Sequence, residues 1–236
     1  MVKTHLIKRS PLRILEEATH GGPGRGALAV LASPKGVGKT ACLVHIATDK
    51  LFQGKSVIHV SYASRVDYII TWYEDIFKEI AKNHRLRGAV AVHDDIIKKR
   101  VIMNFKQDGM RTEQVLRSLE AMITGGKFNA EAIIVDGYDF GLAEPSDLAK
   151  FKAFAGRMGL ELWFSASLKD AGEPLLRPDG TPVLLAGHVG EIDILITLQS
   201  KGDAVEIRVV KDRDHPPAGV LPLKLDPKTL LIAQEK

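Results

Sequence analysis

The run Ala27-Leu-Ala-Val-Leu-Ala32 leads without a break into Ser33-Pro34-Lys35-Gly36-Val37-Gly38-Lys39-Thr40. Six consecutive apolar residues have strand length, and the lack of polar alternation suits a strand covered on both faces. The next eight residues fit a phosphate loop at every defined position but the first, where Ser33 stands in place of glycine. After Lys39, apolar residues at Ala41, Leu43, Val44, Ile46 and Ala47 mark a helix to about Phe52. A bare Gly-Lys-Ser/Thr triplet arises by chance in roughly one chain in ten of this size at average composition. The strand before it and the helix after it make the match selective; the competing reading is a glycine-rich turn.

The residue types follow from the chemistry. Gly36 and Gly38 let the backbone curl so that successive N–H groups face inward, and the helix beyond adds the positive end of its dipole. Such a nest takes phosphate oxygens, with Lys39 against the β- and γ-phosphates and the Thr40 hydroxyl on Mg²⁺. The expected cofactors are therefore ATP and Mg²⁺. Ser33, Pro34, Lys35, Gly36, Val37, Gly38, Lys39, Thr40 and Cys42 are placed against the nucleotide, although Cys42 reads equally as a small buried helix residue. A magnesium site here also calls for a carboxylate at the end of a neighbouring buried strand, and Ala132-Ile-Ile-Val-Asp136 provides it. A helix cap is the alternative for Asp136, but Gly137 follows and no helical period begins there.

Outward from this stretch, strands and helices alternate. Val57-Ile-His-Val60 follows the first helix; Ala132-Ile-Ile-Val135 follows a helix whose apolar face is Val115, Leu116, Leu119, Met122 and Ile123. Leu160-Glu-Leu-Trp-Phe164 follows a helix with Leu148, Phe151, Ala155 and Met158 on one side. This alternation means a parallel sheet. Residues 192–198, 205–209 and 221–225 instead alternate apolar with polar and are separated by Gly- and Pro-containing turns, the pattern of antiparallel strands. The predicted fold is α/β, a central mostly parallel sheet flanked by helices with antiparallel C-terminal strands. Pro11 and Leu12-Arg-Ile-Leu-Glu-Glu-Ala18 read as a capped helix ended by Gly21-Gly22-Pro23-Gly24, which divides an N-terminal helix and linker (1–24) from the core (25–236). A helix over 65–82 carries Val66, Ile69, Ile70, Tyr73, Ile76, Phe77 and Ile80 on one stripe, with Tyr68 and Trp72 on its flank.

With 236 residues, of which 45% are hydrophobic and 26% charged, the chain suits one well-buried domain. No apolar stretch approaches the ~20 residues of a membrane span. Residues 1–10 lack the apolar centre of a signal peptide, so a cytoplasmic protein with no membrane partner is expected. The single cysteine excludes an intrachain disulfide. The net charge of +4 is modest but uneven: between Lys78 and Lys106 eight Lys or Arg face three acids, a local +5. Such a cluster could gather phosphates of DNA or RNA, although solvated helix faces carry similar runs.

Taken together, the motif order resembles that of the RecA-like P-loop ATPases, in the branch that holds KaiC, RadA and DnaB, over most of the chain. The likeness rests on the phosphate loop, the strand ending in Asp136, Phe164-Ser-Ala-Ser-Leu-Lys169, and Glu206-Ile-Arg-Val-Val-Lys-Asp-Arg213 with Asp212 where Asn is usual. It implies an ATPase that works as a homo-oligomer on nucleic acid. It also implies that Lys211 and Arg213 act catalytically on a neighbour's γ-phosphate, and that Ser165 or Ser167 senses that phosphate. The alternative for Lys211 and Arg213 is an exposed strand end with solvated charges. Relatives keep a glutamate just after the second strand, where this chain has Ala63 and Ser64. Hydrolysis is then expected to be slow, since a general base contributes ~10² to 10⁴-fold. A regulatory nucleotide-binding switch is the second reading.

Overall fold

In a computed structural model, which describes residues 2–62, 65–106, 111–168 and 175–235, the apolar run before the phosphate loop becomes the hub of the sheet. Chain order is α1 (Val2–Arg9), α2 (Leu12–Ala18), β1 (Leu28–Pro34), α3 (Lys39–Phe52), β2 (Val57–Ser61), α4 (Val66–Asn83), α5 (Ala89–Ile97) and β3 (Arg100–Asn104). Then follow α6 (Thr112–Glu120), β4 (Ala132–Asp136), α7 (Pro145–Met158), β5 (Glu161–Leu168), β6 (Ile194–Lys201), β7 (Ala204–Asp212), β8 (Gly219–Leu225) and β9 (Ile232–Gln234). The described strands form one sheet in the order β3-β2-β4-β5-β1-β6-β7-β8-β9. Pairing is parallel from β3 through β6 and antiparallel from β6 to β9.

Period-two alternation sends successive β1 side chains to opposite faces, and both faces are covered. Ala29 and Leu31 join a core with α1 to α5 and the C-terminal strands, while Leu28, Val30 and Ala32 join a second core under α6 and α7. Double coverage is why no polar residue interrupts the run. The predicted helix after the loop has the bounds of α3. Leu6, Leu12 and Leu15 of α1 and α2 belong to the first core, so the N-terminal segment packs onto the sheet.

Two expectations need correction, and one element is new. The run at 192–198 yields β6, which pairs parallel with β1 and becomes antiparallel only on its other side, to β7. The chain between β5 and β6 is long enough for the crossover a parallel neighbour demands. Ile70, assigned to the buried stripe of α4, is exposed, while Ile69, Tyr73, Ile76, Phe77 and Ile80 are buried. The basic stretch contains an unforeseen strand, β3, on the parallel edge. Among the described residues no helix is long and apolar enough to cross a membrane.

Candidate functional site

Because β1, β4 and β5 run parallel, their C-terminal ends share one edge of the sheet, where open α/β sheets place ligands. The loop after β1 turns there through Gly36 (φ 84°) and Gly38 (φ 116°), left-handed positions that favour glycine. A Cβ on Gly38 would also lie 2.2 Å from Leu225 Cδ2. Lys39 folds back across the loop, its Nζ donating to the carbonyls of Ser33 (3.0 Å) and Pro34 (2.9 Å) and to Ser33 Oγ (3.2 Å). Burial pulls the Lys39 ammonium down to about 8, against the opposing pull of the Asp136 charge.

Thr40 and Asp136, far apart in sequence, meet: Thr40 Oγ1 donates to Asp136 Oδ2 at 2.8 Å. Ser165 Oγ donates to Asp136 Oδ1 at 2.7 Å and accepts from the Gly137 N–H at 2.8 Å. The carboxylate is thus aimed by two hydroxyls. A hydroxyl and a carboxylate side by side are the hard oxygen donors that magnesium takes.

These groups line a cavity of about 560 Å³. One wall is Tyr62, Tyr68, Ile69 and Trp72; the opposite wall is Val205, Leu225, Pro227 and Leu230. Of the residues expected against the nucleotide, Lys35, Gly36, Val37, Gly38, Lys39, Thr40, Asp136 and Ser165 line it. Ser33, Pro34 and Cys42 do not. Ser33 and Pro34 hold the Lys39 ammonium from behind, and the Cys42 thiol lies in the core, where burial pushes it up to about 12. Ser165 is buried with its hydroxyl engaged on Asp136, so it positions the carboxylate, while Ser167 is the exposed serine at the cavity. The apolar wall from the C-terminal strands has no signal in the sequence beyond strand alternation.

Lys211 and Arg213 sit elsewhere. Since β7 runs antiparallel to β6, its end lies beside Asp193, level with Leu28 at the start of the seven-residue β1 and ~20 Å from the loop. Lys211 Nζ donates to the carbonyls of Val189 (2.7 Å) and Ile192 (2.6 Å). The Arg213 guanidinium donates to the carbonyls of Thr19, Gly22 and Pro23 and pairs with Asp212, which is fully buried and also bonds His20 Nδ1 at 2.6 Å. Arg213 thereby fastens the glycine-rich break after α2 to the sheet. Arg213→Ala should cost about 2 to 4 kcal/mol in urea unfolding, because it takes the arginine from a buried carboxylate, leaving it His20 alone, and removes the donor from three carbonyls. A finger role alone would leave stability unchanged and lower turnover only.

Four of the eight basic residues at 78–106 have partners within the fold. Lys78 and Lys82 pair with Asp75 and Glu79 along α4, Lys99 Nζ donates to the Gly54 carbonyl, and Arg100 stacks 4.2 Å from the Tyr73 ring. Ala63 and Ser64, where a catalytic glutamate would stand, and Lys169 lie outside the described residues. No protein-family model matches this chain, and comparison with curated proteins finds no match.

Proposed function

We propose that this chain is a RecA-like protein that binds Mg-ATP at the C-terminal edge of its parallel sheet and hydrolyses it slowly. The observation that carries the reading is the 2.8 Å contact of Thr40 with Asp136 beside the Lys39 ammonium and the glycine loop. In this reading the loop amides and Lys39 bind the phosphates, and Ser165 keeps Asp136 turned toward Thr40. Thr40 and Asp136 would hold magnesium, which supplies charge neutralisation at the phosphates when bound.

Slow turnover is supported by the acids at hand. Asp136 is the one carboxylate among the described residues that line the cavity, and it is committed to Thr40 and Ser165. Asp67, the next acid after β2, is exposed and paired with Arg65. The engagement of Lys99 and Arg100 within the fold takes two cations out of the basic segment, which favours a nucleotide-dependent switch over a motor on DNA or RNA. The test is Mg-ATP binding by calorimetry beside turnover with and without single-stranded DNA or RNA at low salt. Saturable binding is expected, with turnover ~10² to 10⁴-fold below that of an ATPase with a general base, unmoved by polynucleotide. Rapid or polynucleotide-stimulated turnover would defeat the switch reading; absent binding would defeat the nucleotide site itself.

A further inference from the structure

A second cavity, of about 570 Å³, flanks the phosphate loop at the C-terminal ends of β5, β1 and β6. Leu168, Leu175, Leu176 and Leu198 line it, with Pro34 and Val37 of the loop itself. Val37 borders the nucleotide cavity as well, whereas Lys39, Thr40 and Asp136 line only that one. Open α/β sheets bind ligands beyond these strand ends. The volume falls within the roughly 300 to 1,000 Å³ of small-molecule sites, which are mostly apolar with a few placed polar groups.

The placed polar group here is the hydroxyl of Thr197 on β6. Register pairs Thr197 with Ala32 of β1, and residues paired across a sheet share a face, so its side chain lies on the face of Ala32, which also lines the cavity. Thr197 is 1% exposed, and its Oγ1 is buried with no hydrogen-bond partner among the described residues. A hydroxyl both donates and accepts, and leaving it buried and unmatched is costly. The other polar lining, Gln199 and Ser200, is exposed at the end of β6. No charged side chain stands among the described residues that line the cavity, so an ion would lose hydration there without compensation. We propose that this cavity is a second ligand site, for a neutral small molecule with an apolar body and one hydrogen-bonding group. The body lies on the leucines and Val37, and the group pairs with the Thr197 hydroxyl.

A probe of this kind is N-phenyl-1-naphthylamine, an uncharged aromatic amine with one N–H whose emission rises in apolar surroundings. Titrated into the full chain, it should fill one saturable site. Decan-1-ol should displace it, and decane-1-sulfonate, equal in chain and different in charge, should not. Leu176 lines this cavity and not the nucleotide one, so Leu176→Glu, which sets a charge in the lining, should weaken the probe at least about tenfold. Thr197→Val removes the hydroxyl and nearly keeps the shape. It should weaken the probe roughly two- to tenfold, the worth of one neutral hydrogen bond, and melt at or above the wild-type temperature because that hydroxyl is unpaired. No saturable site, displacement by the sulfonate as readily as by the alcohol, or unchanged affinity in both folded variants would overturn the proposal. The titration contains no nucleotide, so its outcome is independent of the Mg-ATP reading.

Discussion

Lys39→Ala is expected to weaken Mg-ATP binding by at least ~10²-fold, because hydrogen bonds to charged groups contribute about 1.5 to 3 kcal/mol each and Lys39 would make at least two to the phosphates. The ammonium is already poised for this exchange. It rests on two carbonyls and the Ser33 hydroxyl, neutral acceptors that hold it over the loop without neutralising it. Burial disfavours its charge, so an anion brought alongside gains more there than it would from a hydrated surface lysine. Alanine removes the cation and leaves the loop's glycine geometry in place, since Gly36 and Gly38 take their conformations from the backbone. Calorimetric titration checks the affinity, and a thermal melt within a few degrees of wild type separates lost binding from lost fold. Unchanged affinity in a folded Lys39→Ala chain would remove the phosphate loop from the account.

The parts of this site that were legible in the sequence are those fixed by near neighbours. The strand, loop and helix at 27–52 are contiguous, so apolar run, glycine spacing and helical period all describe one local structure. Asp136 was legible because a buried strand that ends in a carboxylate is unusual enough to need a partner, which Thr40 provides. What stayed hidden depends on pairings between distant segments. Nothing in the run at 192–198 says which neighbour it adopts, and β6 is parallel on one side and antiparallel on the other. β3 is half-buried on the sheet's edge and begins within Lys98-Lys99-Arg100, so it reads as the tail of a charged run. α1 contributes Leu6 to the core but has too few apolar residues to show a stripe. The charge of Arg213 at a strand end looks like any solvated charge until the carbonyls at 19–23 are brought beside it.

Lowering the pH from 7 to 5 should cost about 4 kcal/mol of stability, about 2 from each of two buried histidines, by the linkage between proton binding and folding. His59 on β2 is 0% exposed, its Nδ1 lies 3.0 Å from the Tyr73 hydroxyl, and its Nε2 is buried without a hydrogen-bond partner. Burial raises the Tyr73 pKa, so Tyr73 remains the donor and His59 Nδ1 the acceptor. His45 accepts from the Ile232 N–H in the same way. Burial is the main cause that brings both imidazoles from 6.5 down to about 4, against the raising influence of Asp136 on His59 and of Asp49 on His45. The folded pKa values therefore lie below the unfolded ones, and between pH 6.5 and about 4 the unfolded chain binds more protons. Stability is complete above 6.5, falls as pH drops, and stops falling from this cause near 4. Carboxylates ordinarily titrate near or below 4.3, so the interval from 6.5 to 5 reports mainly on histidine. Urea midpoints at pH 7 and pH 5 measure the loss, and His45→Gln should remove about half of the difference by taking one ionisable ring out of the core. Equal midpoints at the two pH values would mean that the folded protein accepts these protons as readily as the unfolded chain, which neutral rings packed against Ile232 and Tyr73 do not allow.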